Sequence, residues 1–260
     1  MSLPLIFTPP GYRPDRGLLN DHVILVTGAG QGLGKVAAMS FARQGASVIL
    51  HGRNVAKLEA VYDAMEDEGL KQPAILPLDF NATTQAELDA FAQSIHTTMG
   101  RLDGIFHGAS HFVSPMPMAL SDLDMWMKHA RVNMTVPAAL TKACLPMLKH
   151  SGEGSVVFLT ETHAMQPKAY WGPFAVTKSA LAALVAILAD EADPSTGPRF
   201  NLCLPGPVAT PMRAQSHPGE LASSLASAES LAVDFQYLMG RDSAGISGCL
   251  LESAGRQPRN

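Results

Sequence analysis

Cysteine is scarce: three residues in 260, Cys144, Cys203 and Cys249, far apart and without metal-ligand spacing. That excludes a disulfide framework and suits free thiols in a reducing compartment, so a cytoplasmic location is expected. Charge is scarce too, at 16% of residues with a net of −4. Nothing here forms the basic footprint of a nucleic-acid partner, and none is expected. With 47% hydrophobic residues, long disorder is excluded. No apolar run reads as a membrane span, and no membrane partner is expected. Residues 1–17 are rich in proline and have no charged region ahead of an apolar run. They do not read as a signal peptide but as a loose, flexible arm before one domain over residues 18–260. Tyrosine occurs only four times.

What is present alternates. Short apolar runs at Val23–Val26, Ser47–Leu50, Ala74–Leu78, Gly104–His107, Ser155–Leu159, Arg199–Leu204 and Gly248–Leu251 read as strands. Between them, Gly34–Gln44, Val55–Glu68, Gln85–Met99, Leu120–His150 and Phe174–Ala189 read as helices. Strands alternating with helices predict an α/β fold: a single-domain, Rossmann-type, doubly wound parallel sheet with helices on both faces.

The first strand runs into Thr27-Gly28-Ala29-Gly30-Gln31-Gly32-Leu33-Gly34 and then a helix. Strand, glycine turn and helix is the context in which a backbone approaches a pyrophosphate and a helix N-terminus faces it. The second strand ends in His51-Gly52-Arg53-Asn54. A carboxylate there would bind a ribose 2′-hydroxyl; Arg53 suits a 2′-phosphate instead, favouring NADP(H) over NAD(H). Later come Asp79, the stretch Arg131-Val132-Asn133-Met134, the helix start Phe174-Ala175-Val176-Thr177-Lys178, and Pro205-Gly206-Pro207-Val208-Ala209-Thr210.

In this order these segments resemble the short-chain dehydrogenase/reductase family, in the flavour of its bacterial YciK-like branch, over roughly Leu18 to Leu251. The resemblance implies that Gly28, Gly30, Gln31, Gly32, Leu33, Gly34, Arg53, Asp79, Lys178, Pro205, Gly206, Val208 and Thr210 contact the cofactor. It implies an adenine-contacting role for Asp79, and a nicotinamide-side role for the Pro205–Thr210 loop. Asn133 and Lys178 match two members of the family's catalytic tetrad, and residues 213–230 fall where the family carries its mobile substrate lid.

Two tetrad positions depart. The family's proton-donating tyrosine, four residues before the lysine, is Phe174. The family serine, thirteen residues earlier, is Glu161, flanked by Thr160 and Thr162. Asn-Ala-Gly after the fourth strand reads Gly108-Ala109-Ser110. The pattern spares nucleotide binding and removes proton transfer. Ordinary carbonyl and alcohol activity is therefore expected to be weak or absent, the alternative being a pseudoenzyme that senses NADP(H) or acts as a dimeric interaction protein. Glu161 is expected to pair with Lys178, or to replace the phenol as acid/base; Tyr170 is another candidate donor. His107, His111 and His163 lack a known ligand spacing and read as pocket-lining histidines, with no metal expected. The helix from Phe174 is apolar all round, so its outer face needs a partner. Family members bury it across a two-fold axis, which implies a homodimer or homotetramer. A small-molecule substrate is expected if the protein is active.

Overall fold

The computed structural model describes residues 3–253. In chain order its elements are β1 (Leu5–Ile6), β2 (Val23–Thr27), α1 (Gly32–Arg43), β3 (Ser47–Gly52), α2 (Val55–Asp67), β4 (Ala74–Pro77), α3 (Gln85–Met99) and β5 (Gly104–His107). Then come α4 (Leu123–Ala130), a π-turn (Arg131–Thr135), α5 (Val136–His150), β6 (Ser155–Leu159), α6 (Thr162–Met165), α7 (Gly172–Glu191) and β7 (Arg199–Leu204). The chain ends with β8 (Val208–Ala209), α8 (Pro211–Ser216), β9 (Ala226–Ser227), α9 (Ala232–Met239) and β10 (Leu250–Glu252).

Strand alternation builds two cores from one sheet. In β2, Ile24 and Val26 point into a core with α1, α2 and α9, whereas Val23 and Leu25 point into a second core with α3, α5 and α7. β6 divides the same way: Val157 and Leu159 on one face, Val156 and Phe158 on the other. Both faces are therefore apolar, as a parallel sheet covered by helices requires. Each such side chain, fully buried, contributes about 1.5–3 kcal/mol.

The sheet has eight strands in the order β1-β10-β7-β6-β5-β2-β3-β4, and each neighbouring pair runs parallel. The expected doubly wound architecture is the observed one. The order reverses between β2 and β5, and the crevice beyond their carboxyl ends is where such sheets bind ligands.

Three expectations about elements change. The N-terminal arm expected to be loose instead supplies β1, which pairs Leu5 with Leu250 and Ile6 with Leu251. Just beyond it, Thr8 Oγ1 donates to Asp234 at 2.7 Å and Tyr12 stacks edge-on against Tyr237, fastening the rest of the arm to α9. The single long helix expected over 120–150 is broken. Asp122 caps α4, its carboxylate accepting the Met125 amide at 2.8 Å, and the π-turn separates α4 from α5. Pro137 has no N–H for the Asn133 carbonyl, and Thr135 Oγ1 bonds back to the carbonyls of Ala130 and Arg131, so the helix widens here. Finally, α7 is long and apolar enough, by composition, to cross a membrane. Its inner side, Phe174, Lys178, Leu181 and Val185, is nevertheless buried, and Leu181 and Val185 belong to the sheet core.

Candidate active site at the switch point

The loops after β2, β3, β4, β5, β6 and β7 converge on one cavity of about 390 Å³. Its glycine-rich part starts with Gly28, whose φ of +70° is left-handed backbone that suits glycine. A Cβ there would lie 2.7 Å from the Ala109 amide nitrogen, and one on Gly34 would collide with the Gly28 carbonyl oxygen. These two glycines let strand, turn and helix close on one another. Thr27 Oγ1 accepts from the Ala109 amide at 3.1 Å and ties the β2 turn to the β5 loop. At the head of α1, Gln31 makes no side-chain capping bond, so the first amides of the helix face the cavity without a side-chain acceptor.

Arg53 and Asn54 follow β3 on the cavity wall. Asn54 caps α2, accepting the Lys57 amide at 3.1 Å, and this sets Lys57 on the same wall, its Nζ donating to Gln31 Oε1. Lys57 is a cation the sequence reading missed. The cap residue Asn54, three positions ahead of it, was the signal that could have found it.

At the other end lie Glu161, Phe174 and Lys178. Lys178 is buried, and its Nζ donates to the Leu159 carbonyl at 3.0 Å. Burial pulls its pKa down to about 8, against a smaller opposing pull from Glu161. The expected Glu161–Lys178 ion pair is not formed; the described ion pairs within bonding distance lie elsewhere. The Leu159 carbonyl, two residues before Glu161, takes the ammonium, while Glu161 turns to the start of α6. Its Oε1 is buried without a hydrogen-bond partner. Burial pushes the Glu161 carboxyl up, while the amides of His163 and Ala164 and then the cations Lys178 and Arg213 draw it back.

Phe174 is 4% exposed, its ring edge-on to Phe112 at 4.9 Å. Trp171 completes a wall of three aromatic rings, 6.0 Å from Phe112 and 6.2 Å from Phe174. Asn133 does not line the cavity. Buried in the π-turn, its amide brackets His111, accepting from the His111 N–H at 2.7 Å and donating to the His111 carbonyl at 3.0 Å. Tyr170 is 60% exposed and does not line this cavity, so it is not placed to replace the phenol.

The three histidines do not converge. His107 Nε2 bonds Thr141 Oγ1 at 2.8 Å, the His111 ring lies 4.5 Å from His129, and the His163 ring packs 4.0 Å from Trp171. Gly28, Gly30, Gln31, Gly32, Leu33, Gly34, Arg53, Asp79, Pro205, Gly206, Val208 and Thr210 all line the cavity. The segment expected as a lid is braced by α8, by the β8–β9 pairing, and by Arg213 held bidentate on Glu220 at 2.6 and 2.8 Å. Arg213 and Ser216 face the cavity from it.

Residues 22–221 match the family model of short chain dehydrogenases. Oxidoreductase YciK of Escherichia coli K12 is 37% identical over 248 residues, 95% of this chain and 98% of its own. Human dehydrogenase/reductase SDR family member 4 is 30% identical over 197 residues, covering 75% of this chain and 69% of that one. Among solved structures, the short chain dehydrogenase of Shigella flexneri superposes with a TM-score of 0.91 at 37% identity, covering 97% of this chain and 98% of that one. A short chain dehydrogenase of Escherichia coli CFT073, complexed with NADPH, gives 0.89 at 37% identity over 93% of this chain and 100% of its own. With such a match over most of its length, on a sheet that carries the glycine turn at its switch point, this chain belongs to the short-chain dehydrogenase family of oxidoreductases.

Proposed function

We propose that this protein is an NADP(H)-binding oxidoreductase whose turnover of ordinary carbonyls and alcohols is weak or absent. One observation carries the cofactor reading: the α1 N-terminus opens uncapped onto a cavity whose far wall holds Arg53 and Lys57, with no carboxylate at the end of β3. The free amides suit a pyrophosphate, and the two cations suit a 2′-phosphate. Neighbouring structures complexed with NADP and with NADPH support it. The residues present fit such a group: Gly28 to Gly34 for the phosphates, Arg53 and Lys57 for the 2′-phosphate, Asp79 for the adenine end, and Lys178 with the Pro205–Thr210 loop for the nicotinamide end. When bound, the nicotinamide would supply or accept a hydride.

The chain's own residues decide the proton. Phe174 has none to give, and loss of a general acid costs ~10²–10⁴ in rate. Glu161 shares the cavity wall with it, and burial moves its pKa in the direction a general acid needs. The second reading, a pseudoenzyme that senses NADP(H), is supported by side chains spent on structure: Asn133 on the His111 backbone, Lys178 on the Leu159 carbonyl. Fluorescence titration tests the cofactor reading. NADPH is expected to bind at least about tenfold tighter than NADH, with the difference reduced in Arg53→Ala. Equal affinities would deny Arg53 and Lys57 any part in selectivity, and no binding of either dinucleotide would overturn the reading.

A further inference from the structure

We propose that the substrate end of the cavity takes a small organic cation, an iminium ion or the protonated amine derived from it. The Glu161 carboxylate would hold it against the Phe112–Trp171–Phe174 wall. This deepens the oxidoreductase reading and rests on it. Three observations converge. Glu161 lines the cavity wall, and its Oε1 is buried without a hydrogen-bond partner, so a donor on a bound ligand would meet a free acceptor there. A carboxylate oxygen is satisfied best by a charged N–H and is repelled by a carbonyl oxygen. Beside it stand three aromatic rings within 6.2 Å of one another, all on the cavity wall. Aromatic faces attract organic cations and give a carbonyl oxygen nothing to bond. Neither nearby cation is bonded to Glu161: Lys178 donates to the Leu159 carbonyl, and Arg213 is paired with Glu220.

The same ligand class accounts for position 174. A carbonyl must gain a proton as it is reduced, and a phenylalanine cannot provide it. An iminium carbon already carries the positive charge. When it accepts a hydride, from a reduced nicotinamide dinucleotide, a new C–H bond forms and the C=N π pair moves onto nitrogen. A neutral amine results, and no proton is consumed. A buried ring at 174 is then compatible with turnover, and Glu161 stabilises the incoming charge.

The test is calorimetry on the full chain, with and without saturating NADP⁺, using three five-membered-ring probes: N-methylpyrrolidinium, cyclopentanone and cyclopentanecarboxylate. The cation is expected to bind about tenfold or more tighter than the ketone. Glu161→Gln should remove that preference, Glu161→Asp should retain part of it, and Trp171→Leu should weaken the cation alone. An unchanged unfolding temperature would show that Glu161→Gln folds. Reduction of 1-pyrrolinium, an iminium that carries an N–H, by NADPH should then exceed that of cyclopentanone, which needs the missing proton donor. The proposal is overturned if the ketone or the carboxylate binds as tightly as the cation, if nothing binds, or if Glu161→Gln leaves the cation's affinity unchanged. Because the amine titration is also run without dinucleotide, failure of NADPH to bind would overturn the cofactor reading separately.

Discussion

At position 174 a benzyl ring occupies the place where one oxygen atom would alter the chemistry. Phe174→Tyr puts a hydroxyl on a buried ring at the cavity wall, one helical turn from Lys178. Paired with Glu161→Ser, it is expected to raise NADPH-linked reduction of at least one aldehyde or ketone by ~10²-fold or more, and alone by less. A steady-state panel measures this. Brisk carbonyl turnover by the unmodified chain would defeat the expectation of weak activity. A second prediction concerns two histidines the chemistry does not use. Burial lowers His51 to about 4 and His107 to about 3, from an ordinary 6.5. Below 6.5 the unfolded chain takes up protons that the folded chain refuses until pH 4 or 3. Their contribution to stability is therefore complete above pH 6.5 and is lost as pH falls toward 4. Urea midpoints between pH 7.5 and 4.5 should fall with acid. The fall should be shallower in His51→Phe, which removes one of the two buried imidazoles.

Among the elements, α3 has the best-defined start. Thr84 and Glu87 form a reciprocal capping box, the Thr84 amide donating to Glu87 Oε2 at 2.7 Å and the Glu87 amide to Thr84 Oγ1 at 3.3 Å. Thr84→Ala is expected to cost about 1 kcal/mol by denaturant titration and to leave NADPH affinity unchanged. Gly34→Ala should do the opposite kind of damage. Its methyl meets the Gly28 carbonyl, so the glycine turn must shift, and nucleotide binding should weaken together with stability. At this scale much was legible. The seven expected strands exist, three with the expected bounds and four displaced by one or two residues at an end, because continuous apolar runs between turn residues have little choice in a covered parallel sheet. The cavity's glycines and the Pro205 loop were legible for the same reason: tight backbone approaches demand particular residue types at fixed spacing. The π-turn was not, since helical periodicity continues through it and only Pro137 hints at the missing donor. Nor was the aromatic wall, because Phe112 and Trp171 lie 59 residues apart and meet only through the fold. The Glu161–Lys178 pair was misjudged because a side-chain argument overlooked a backbone carbonyl as the nearer acceptor.

Over the whole molecule, the outer side of α7 leaves Val176 and Ile187 about half exposed, and Leu123 and Met127 on α4 are more exposed still. Light scattering at micromolar concentration is expected to give at least a dimer, built on α7 and the α4–α5 segment. A monomer mass would defeat this. Ile187→Glu should shift the assembly toward monomer without changing the fold.

The strand nearest the N-terminus carries one more consequence. Among the described residues β1 pairs with β10 alone, and their registered residues lie 245 positions apart, Leu5 with Leu250. During synthesis Leu5 and Ile6 therefore emerge 245 residues ahead of the strand they pair with. They wait unpaired while that whole stretch is made, so β1 docks only after the rest of the sheet has been synthesised.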